Sequence, residues 1–541
     1  MVSRVEDVLR GGLSRLRRAS LSQVMGGVWF VSVFLVIATV WTLDPHATPT
    51  PDEAVNRQAA GLVRKHATPF IQLPFADPED LAHPRSWVTV GDHAVPSYAP
   101  LAIYWYGLLL RFGKLGLALS VALPASAAAA FAVGTAKLLP ESRRWLAFPA
   151  PLLGSPALYW LMRPWMNLSL MLSCLCWAFF SWASWRHSGR AKYLSFAAIG
   201  VGAAAAVRPD YAAYLFTAAL LFGLAEGAAP KRVVLLILAA GASAVVVNLA
   251  LNALTTGHPL LAAYQIEVGR AEGLETRNST SLLQLLVQLL APMGVPTFAN
   301  AAEFLAKYWL SMGFIAGLAL AQLALVPLLV RQPGAKRALC ALALLVMFCF
   351  MLSRMDPMLH GASEPESMLH HSIPRYWAPI YLIAAVPPIV FLARHANRIV
   401  LTLGAVFLFA IALGNAYDVG FGTQWSLVDL RRYERRSTEL ARSLSSMIPR
   451  DAFVYTETYD KILWRRWRLG TLAEPRATAE SMARASRAGL AVYAFEPPMK
   501  TREHRALDRA LRRRGLTLRP LNTRGLSRVV APSKKRQRRL E

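Results

Sequence analysis

Long apolar runs recur along the first 420 residues, and they constrain the fold more than any other feature of the chain. Each run holds about 16 to 24 residues, close to the ~20 that a helix needs to cross a bilayer. Hydrophobic residues make up 55% of the 541 residues, so a soluble globular protein is excluded. The sequence therefore predicts an α-helical polytopic membrane protein of about 11 spans. The predicted spans are 25–42, 115–137, 145–161, 167–185, 191–207, 211–226, 231–253, 308–330, 337–353, 376–393 and 399–417.

Basic residues are distributed unevenly between the loops, and this distribution predicts the orientation. Five arginines precede the first apolar run, which has the pattern of an uncleaved signal anchor. Alternate loops each carry at least two Lys or Arg, and positively charged loops favour the cytoplasmic side. These loops read "KLLPESRRW", "WRHSGRAK", "EGAAPKR", "RQPGAKR" and "RHANR". We expect a multi-pass protein of the cell inner (plasma) membrane, with a cytoplasmic N-terminus and an extracytoplasmic C-terminal segment.

The first outer segment, 43–114, contains a further apolar stretch, "SYAPLAIYWYGLLLRFG". This stretch is short for a span and rich in Tyr and Trp, which is typical of a helix lying in the membrane interface. If it crossed the bilayer, every later basic loop would face outward. We therefore predict an interfacial helix here.

The composition changes to a soluble pattern from about residue 430. Short apolar strands alternate with polar helices, which predicts a small α/β domain. The predicted strands are "AFVYTE", "GLAVYAFE", "LTLRPL" and "SRVVAPS", and the predicted helices are "DKILWRRWRL" and "REHRALDRALRRRG". The predicted organisation is a basic N-terminus at 1–24, a transmembrane domain at 25–420 and a soluble basic domain at 421–541.

Residues 431–541 hold 28 basic and 11 acidic residues, which is +17 of the net charge of +27. This charge predicts contact with anionic lipid or an anionic substrate, or else a solvated basic face and tail. Nucleic acid is not expected as a partner of a domain outside the cell.

An adjacent acidic pair, Asp52 and Glu53, lies shortly after the first span in "TPTPDEAVNRQ". A carboxylate at the outer membrane face can act as a general base or hold a divalent cation against a phosphate. Alternatively, the pair can begin a helix, since Pro51 suits a first turn and acidic residues favour its positive end.

Three later outer segments add basic and polar side chains. "YWLMRPWMN" contributes Arg163 and Asn167, and "RPD" contributes Arg208. A guanidinium can grip two oxygens of a phosphate. Interfacial anchoring by the aromatic residues, or a turn in which Arg208 pairs with Asp210, would explain these segments without a phosphate.

The third of these segments, "MLHHSIPRYWAPIYL", precedes an apolar span and contains His370, His371, Arg375 and Tyr376. The spacing of the histidines fits no standard zinc site. Arg375 and Tyr376 are candidates for holding a phosphate, and aromatic anchoring of the helix end is the alternative.

The order of these motifs resembles the GT-C membrane glycosyltransferases, in particular the branch with the aminoarabinose transferase of lipid A and the protein O-mannosyltransferases. The resemblance covers most of residues 1–420, and "PDE" carries it best. It implies a polyprenyl-phosphate or dolichyl-phosphate sugar donor and a catalytic acid in the first outer loop, at Asp52 with Glu53 beside it. It also implies a second, metal-binding acid in the next outer turn, where this chain has Asn167. That substitution puts metal dependence in doubt.

We therefore expect an inverting glycosyl transfer in which Asp52 deprotonates an acceptor of the cell envelope, be it glycan, lipid or protein. The expected donor-phosphate ligands are Arg208, Arg375, Tyr376 and Arg163, and the expected substrate ligands are Tyr98, His370, His371 and Asn167. No cofactor is assigned with certainty; the candidate is a divalent cation (Mg or Mn) bound at Asp52. The partners are a polyprenyl-phosphate-linked sugar and membrane lipids. The rival hypotheses are a flippase for lipid-linked oligosaccharides, or another transporter, and a membrane-anchored sensor or scaffold.

Overall fold

The computed structural model describes residues 20–40, 50–226, 230–263, 266, 334–352, 372–422, 426–496, 501–521 and 525–531. It is 71% helical, and six of the described helices are long and apolar enough to cross a membrane. The prediction of an α-helical polytopic protein is thus confirmed. The described α-helices are α1 Leu21–Val40, α2 Pro51–His66, α3 Pro100–Arg111, α4 Lys114–Lys137, α5 Ala150–Leu153, α6 Ser155–Leu161, α7 Asn167–Ser188, α8 Ala191–Val207, α9 Ala212–Ala225, α10 Pro230–Thr256, α11 Gly334–Leu352, α12 Ser372–His395, α13 Arg398–Tyr417, α14 Leu427–Leu444, α15 Asp460–Leu463, α16 Pro475–Arg487 and α17 Thr501–Arg512.

Most predicted spans correspond to one helix, but the run 145–161 does not. The chain there forms a 3-10 helix at Glu141–Ala147 and then the short helices α5 and α6. Prolines at 149, 151 and 156 cause the break, because proline lacks the amide hydrogen that a continuing helix needs. Prediction of a single span at 145–161 was therefore wrong, and the predicted span 308–330 lies outside the described residues.

The chain divides into two compact units. The first, called the membrane unit here, comprises residues 1–41, 118–247 and 278–429. The second, called the outer unit, comprises 42–117, 248–277 and 430–541. The first outer segment and the C-terminal segment thus belong to one compact body. The predicted boundaries at residues 24 and 420 stay a prediction.

In the membrane unit, loops predicted to be cytoplasmic contact one another. Glu226 pairs with Arg186 at 2.6 Å and with Lys336 at 3.5 Å, which joins three basic loops. Arg143 donates a hydrogen bond to the carbonyl oxygen of Ala393 at 2.9 Å and so joins two more. Contacts of this kind require each group of loops to lie on the same side of the membrane, as the positive-inside pattern predicts.

The outer unit contains two sheets. The first outer segment forms an antiparallel sheet of β1 (Ile71–Gln72), β2 (Trp87–Val90) and β3 (His93–Pro96), in the order β1-β3-β2. The C-terminal segment forms a mixed sheet in the order β5-β4-β6-β8-β7, with β4 parallel to both β5 and β6. Its strands are β4 Phe453–Thr456, β5 Arg468–Thr471, β6 Val492–Phe495, β7 Thr517–Pro520 and β8 Leu526–Val530.

One element of the C-terminal segment differs from its prediction. The stretch "DKILWRRWRL" was predicted as a helix, but helix α15 ends at Leu463 and the chain then enters strand β5. A Cβ atom on Gly470 of β5 would lie 2.6 Å from the ring of Tyr455 in β4, so the glycine lets the two strands pack closely. Helix α16 was not predicted, although Glu474 caps its first turn and Pro475 begins it.

The core of the outer unit is shared between the two segments. Val55, Trp87 and Ile103 of the first outer segment belong to the same buried cluster as Phe453 and Met482 of the C-terminal segment. The two segments also share hydrogen bonds, since the Thr471 amide donates to the carbonyl oxygen of Leu81 at 2.8 Å. The apolar side chains of this cluster are therefore buried jointly by both segments, while a second cluster, which includes Val454 and Trp467, lies within the C-terminal segment.

Candidate active site

The acidic pair begins helix α2, and the two carboxylates have different environments. Thr50 is the N-cap residue, and its side chain accepts a hydrogen bond from the Glu53 amide at 3.4 Å and donates one to the Glu53 carboxylate at 3.0 Å. The first of these bonds caps the helix, and the second holds the Glu53 side chain against the cap residue. Glu53 is buried, whereas Asp52 is partly exposed. The helix-start alternative therefore accounts for Glu53 and leaves Asp52 as the accessible carboxylate.

Tyr98 orients Asp52. Its hydroxyl donates a hydrogen bond to Asp52 Oδ1 at 2.5 Å and lies 3.3 Å from the hydroxyl of Ser86. Tyr98 lies two residues before helix α3, which packs along helix α2. The structure thus brings together three residues predicted for the site, Asp52, Glu53 and Tyr98.

The C-terminal segment adds charged residues beside helix α2. Helix α15 packs against α2, and its Asp460 forms an ion pair with Arg85 at 3.3 Å. Burial raises the pKa of Asp460, although Arg85 opposes this. Burial lowers the pKa of Lys461, and the negative charges of Asp460 and Glu53 partly offset that effect. Lys461 is therefore a partly buried lysine near the acidic helix start, and no sequence pattern indicated it.

A basic cavity of about 310 Å³ lies along the same helix. Its cationic lining residues are Arg57, Arg64, Lys65 and Arg465, and none of the described residues that line it is acidic. Leu117 of helix α4 and Trp464 add apolar surface. A cavity with this lining suits an anionic group that carries an apolar portion.

The predicted arginines lie in the membrane unit. Arg163 is fully buried, and its guanidinium carbon lies 4.6 Å from the centre of the Trp160 ring. Arg208 forms a two-point ion pair with Asp210, at 2.9 and 2.7 Å, as the turn alternative predicts.

Three further residues of the predicted site belong to the membrane unit. Arg375 lies in the first turn of α12 and is partly buried. Asn167 is a buried residue at the start of α7. Tyr376 lies in α12 beside Arg375. His370 and His371 lie outside the described residues.

Among the described residues, one set has donor atoms close enough together to hold a metal ion. It consists of Asp77, Asp80 and His83. Burial lowers the pKa of His83, but the hydrogen bond and the charge of Asp80 outweigh this effect and raise the pKa above its ordinary value. Our sequence analysis missed this group, although the three residues are spaced evenly three apart in "DPEDLAH".

No protein-family model and no curated protein matches the sequence. Among solved structures, the chain is similar to the archaeal oligosaccharyltransferase AglB from Archaeoglobus fulgidus, in complex with an inhibitory peptide and a dolichol-phosphate. The identity is 12% and the TM-score 0.45, over 95% of this chain and 75% of AglB.

The chain is also similar to ArnT from Cupriavidus metallidurans. For the form bound to undecaprenyl phosphate, the identity is 14% and the TM-score 0.40, over 94% of this chain and 98% of ArnT. For the apo form, they are 15% and 0.39, over 93% and 97%. Both proteins are GT-C glycosyltransferases, the class that the sequence motifs resemble.

Proposed function

We propose that this protein is a membrane glycosyltransferase that moves a sugar from a polyprenyl-phosphate donor to an acceptor of the cell envelope, on the extracytoplasmic face. The observation that carries the proposal is the setting of Asp52. Its carboxylate lies at a helix start in the first outer segment, is partly exposed, and accepts a short hydrogen bond from Tyr98. A held, accessible carboxylate is what a general base requires.

In the proposed reaction, Asp52 takes the proton of an acceptor hydroxyl as the hydroxyl oxygen attacks the anomeric carbon of the sugar. The bond between that carbon and the phosphate oxygen breaks, and its electron pair leaves with the lipid phosphate. Attack from the face opposite the leaving group inverts the anomeric carbon. The fixed Tyr98 hydroxyl keeps the carboxylate in one orientation during this step.

The departing lipid phosphate needs positive charge, and we assign this role to the arginines predicted from the sequence. Arg375 is the best candidate, with Tyr376 beside it. Arg208 is a weaker candidate because Asp210 already engages its guanidinium. Arg163 is weaker still because it is fully buried against Trp160. The roles of His370, His371 and Asn167 in substrate binding, and that of Mg²⁺ or Mn²⁺ at Asp52, stay predictions.

We further infer that the basic cavity beside helix α2 holds an anionic part of the acceptor. Four cationic side chains, Arg57, Arg64, Lys65 and Arg465, line it, and it lies on the helix that carries Asp52. Leu117 and Trp464 supply apolar contact, which suits an amphiphilic acceptor such as a phosphorylated lipid.

The test is the replacement Asp52→Asn in the full-length chain, expressed in a strain lacking its own copy. Loss of a general base should lower transfer by roughly 10²- to 10⁴-fold. Mass spectrometry of envelope glycans and lipid-linked sugars would show loss of the modified acceptor and accumulation of the donor. Asp92→Asn is the matched control, since Asp92 is an exposed carboxylate of the same segment. Undiminished transfer by Asp52→Asn would overturn the assignment.

A further inference from the structure

Asp77, Asp80 and His83 form a compact group in the loop between strands β1 and β2. One donor atom of each residue lies within 4.8 Å of the other two. Asp77 and His83 are only 5% and 4% exposed, so solvent does not satisfy their polar atoms. This group is distinct from Asp52 and from the basic cavity.

The contacts of His83 require a positive charge at this group. Its Nδ1 lies 2.8 Å from the carbonyl oxygen of Pro84, which can only accept, so Nδ1 carries the hydrogen. Its Nε2 lies 2.8 Å from the carboxylate oxygen Oδ1 of Asp80, which is also an acceptor. A neutral imidazole has one N–H, so Nε2 would direct a lone pair at a carboxylate. Either a second proton or a metal ion must lie between them.

The contacts of the Asp77 carboxylate decide between a second proton and a metal ion. Its Oδ2 accepts hydrogen bonds from the Ala82 amide at 2.7 Å and from the Thr89 hydroxyl at 3.3 Å. Its Oδ1 is buried without a hydrogen-bond partner. A second proton on His83 would satisfy Asp80 and leave this oxygen unpaired. A metal ion would satisfy all three side chains, and two carboxylates would balance its charge.

We propose that Asp77, Asp80 and His83 bind a divalent transition-metal ion that stabilises the outer unit. One imidazole and two carboxylates suit zinc, whose bonds to such ligands are about 2.0–2.2 Å long, better than they suit magnesium or calcium. Fixing Nδ1–H on a backbone carbonyl is the usual outer contact of a metal-binding histidine.

The position of the group explains why a metal ion there would be structural. The Thr471 hydroxyl of strand β5 donates a hydrogen bond to the carbonyl oxygen of His83 at 2.8 Å, and the Thr471 amide bonds to Leu81. A bound metal ion would therefore fix the loop at the point where the C-terminal sheet attaches to the first outer segment.

The experiment uses the full-length protein in detergent, prepared without chelator. We expect about one zinc per chain by elemental analysis, and a fall in the melting temperature with EDTA that added zinc reverses. His83→Gln and Asp77→Asn should each weaken zinc binding, measured by calorimetry, by at least the ~10–100-fold that changes around metal ligands cost. His93→Gln is the matched control, because His93 pairs with Asp92 at the surface outside the group.

Two results would overturn the proposal. One is a wild-type protein that neither contains nor binds zinc and whose melting temperature changes with neither EDTA nor zinc. His83 would then be a buried imidazolium. The other is zinc binding by His83→Gln and Asp77→Asn at wild-type affinity. The wild-type titration decides the matter even if both variants fail to fold.

Discussion

Asp52 and Glu53 are neighbours in the sequence, yet their carboxylates make different contacts in the structure. Glu53 completes the cap of helix α2 and is buried, while Asp52 points its carboxylate to the Tyr98 hydroxyl and remains partly exposed. The structure supports the helix-start interpretation for Glu53, and the catalytic role of Asp52 stays a proposal.

Replacing Tyr98 with Phe should lower transfer with little effect on folding. The variant loses a hydrogen bond to an anion, worth about 1.5–3 kcal/mol, which corresponds to roughly a 10- to 100-fold effect. The loss should appear in kcat, because the hydroxyl orients the base. Tyr104→Phe, in helix α3 of the same segment, is the control. A Tyr98→Phe enzyme with the wild-type kcat would remove Tyr98 from the site.

At the residue scale, the sequence predicted the acid but not its partners. An acidic pair after a signal anchor can be read locally, whereas Tyr98 is 46 residues away and meets Asp52 only when helices α2 and α3 pack. Tyr98 was predicted as a substrate ligand, and the structure gives it a contact with the carboxylate of Asp52. Lys461 lies still further along the chain and carried no signal.

At the scale of elements, one carboxylate links helix α17 to strand β7. Asp508 of α17 accepts hydrogen bonds from the Leu518 amide and the Thr517 hydroxyl, both at 2.9 Å, and pairs with Arg512 at 2.7 Å. Burial acts to raise the pKa of Asp508, but these contacts outweigh it, and the pKa lies below its ordinary value.

Asp508→Asn should therefore destabilise the outer unit in a pH-dependent way. The lowered pKa in the folded state means that the carboxylate stabilises the fold above the unfolded pKa of about 4, and that this contribution is lost as the pH falls through the folded pKa. We expect the variant to be less stable by about 1–3 kcal/mol near neutral pH, with the difference shrinking on acidification. Unfolding followed by tryptophan fluorescence from pH 7 to 3 measures it. Asp451→Asn, an exposed carboxylate, serves as control; a difference independent of pH would contradict the assignment.

The basic cavity gives a second prediction at this scale. Arg465→Gln combined with Lys65→Gln should raise KM for an anionic acceptor about tenfold or more and leave kcat nearly unchanged, because the cavity binds the acceptor away from the reacting atoms. Added salt should weaken acceptor binding by the wild type more than acceptor binding by the variant. Arg519→Gln, an exposed arginine of strand β7, is the control. An unchanged KM in the double variant would show that the acceptor does not use the cavity.

Elements with a clear period or sharp ends could be predicted, and those set by tertiary contacts could not. Helix α8 matches its apolar run, 191–207, because a basic loop and the "RPD" turn bound it. The stretch "DKILWRRWRL" has helical character locally, but pairing of β5 with β4 takes its last residues into the sheet. The break in the run 145–161 lies at its prolines, but helix α12 continues through Pro379, Pro387 and Pro388, so prolines alone do not predict such a break.

At the scale of the whole molecule, the C-terminal segment is part of the same body as the first outer segment. Contacts between them join residues about 375 to 405 positions apart, including the ion pairs Arg85 with Asp460 and Glu79 with Arg484. Composition marked residues after about 430 as soluble, but no local pattern indicates which part of the chain their core packs against. The buried cluster of Trp87, Phe453 and their neighbours supplies that information.

This shared core predicts that the C-terminal segment stays bound after the chain is cut. Cleavage at a protease site placed between Gly422 and Ser426 would break the covalent link between residues 426–541 and the membrane helices. The first outer segment would remain covalently attached to α1 and α4. We expect both fragments to elute together in size-exclusion chromatography. Phe453→Ala, which should cost about 3–5 kcal/mol in the shared core, should promote release, and Leu521→Ala, at an exposed position, should not. A wild-type C-terminal fragment that elutes alone would show that the outer unit does not hold together through this core.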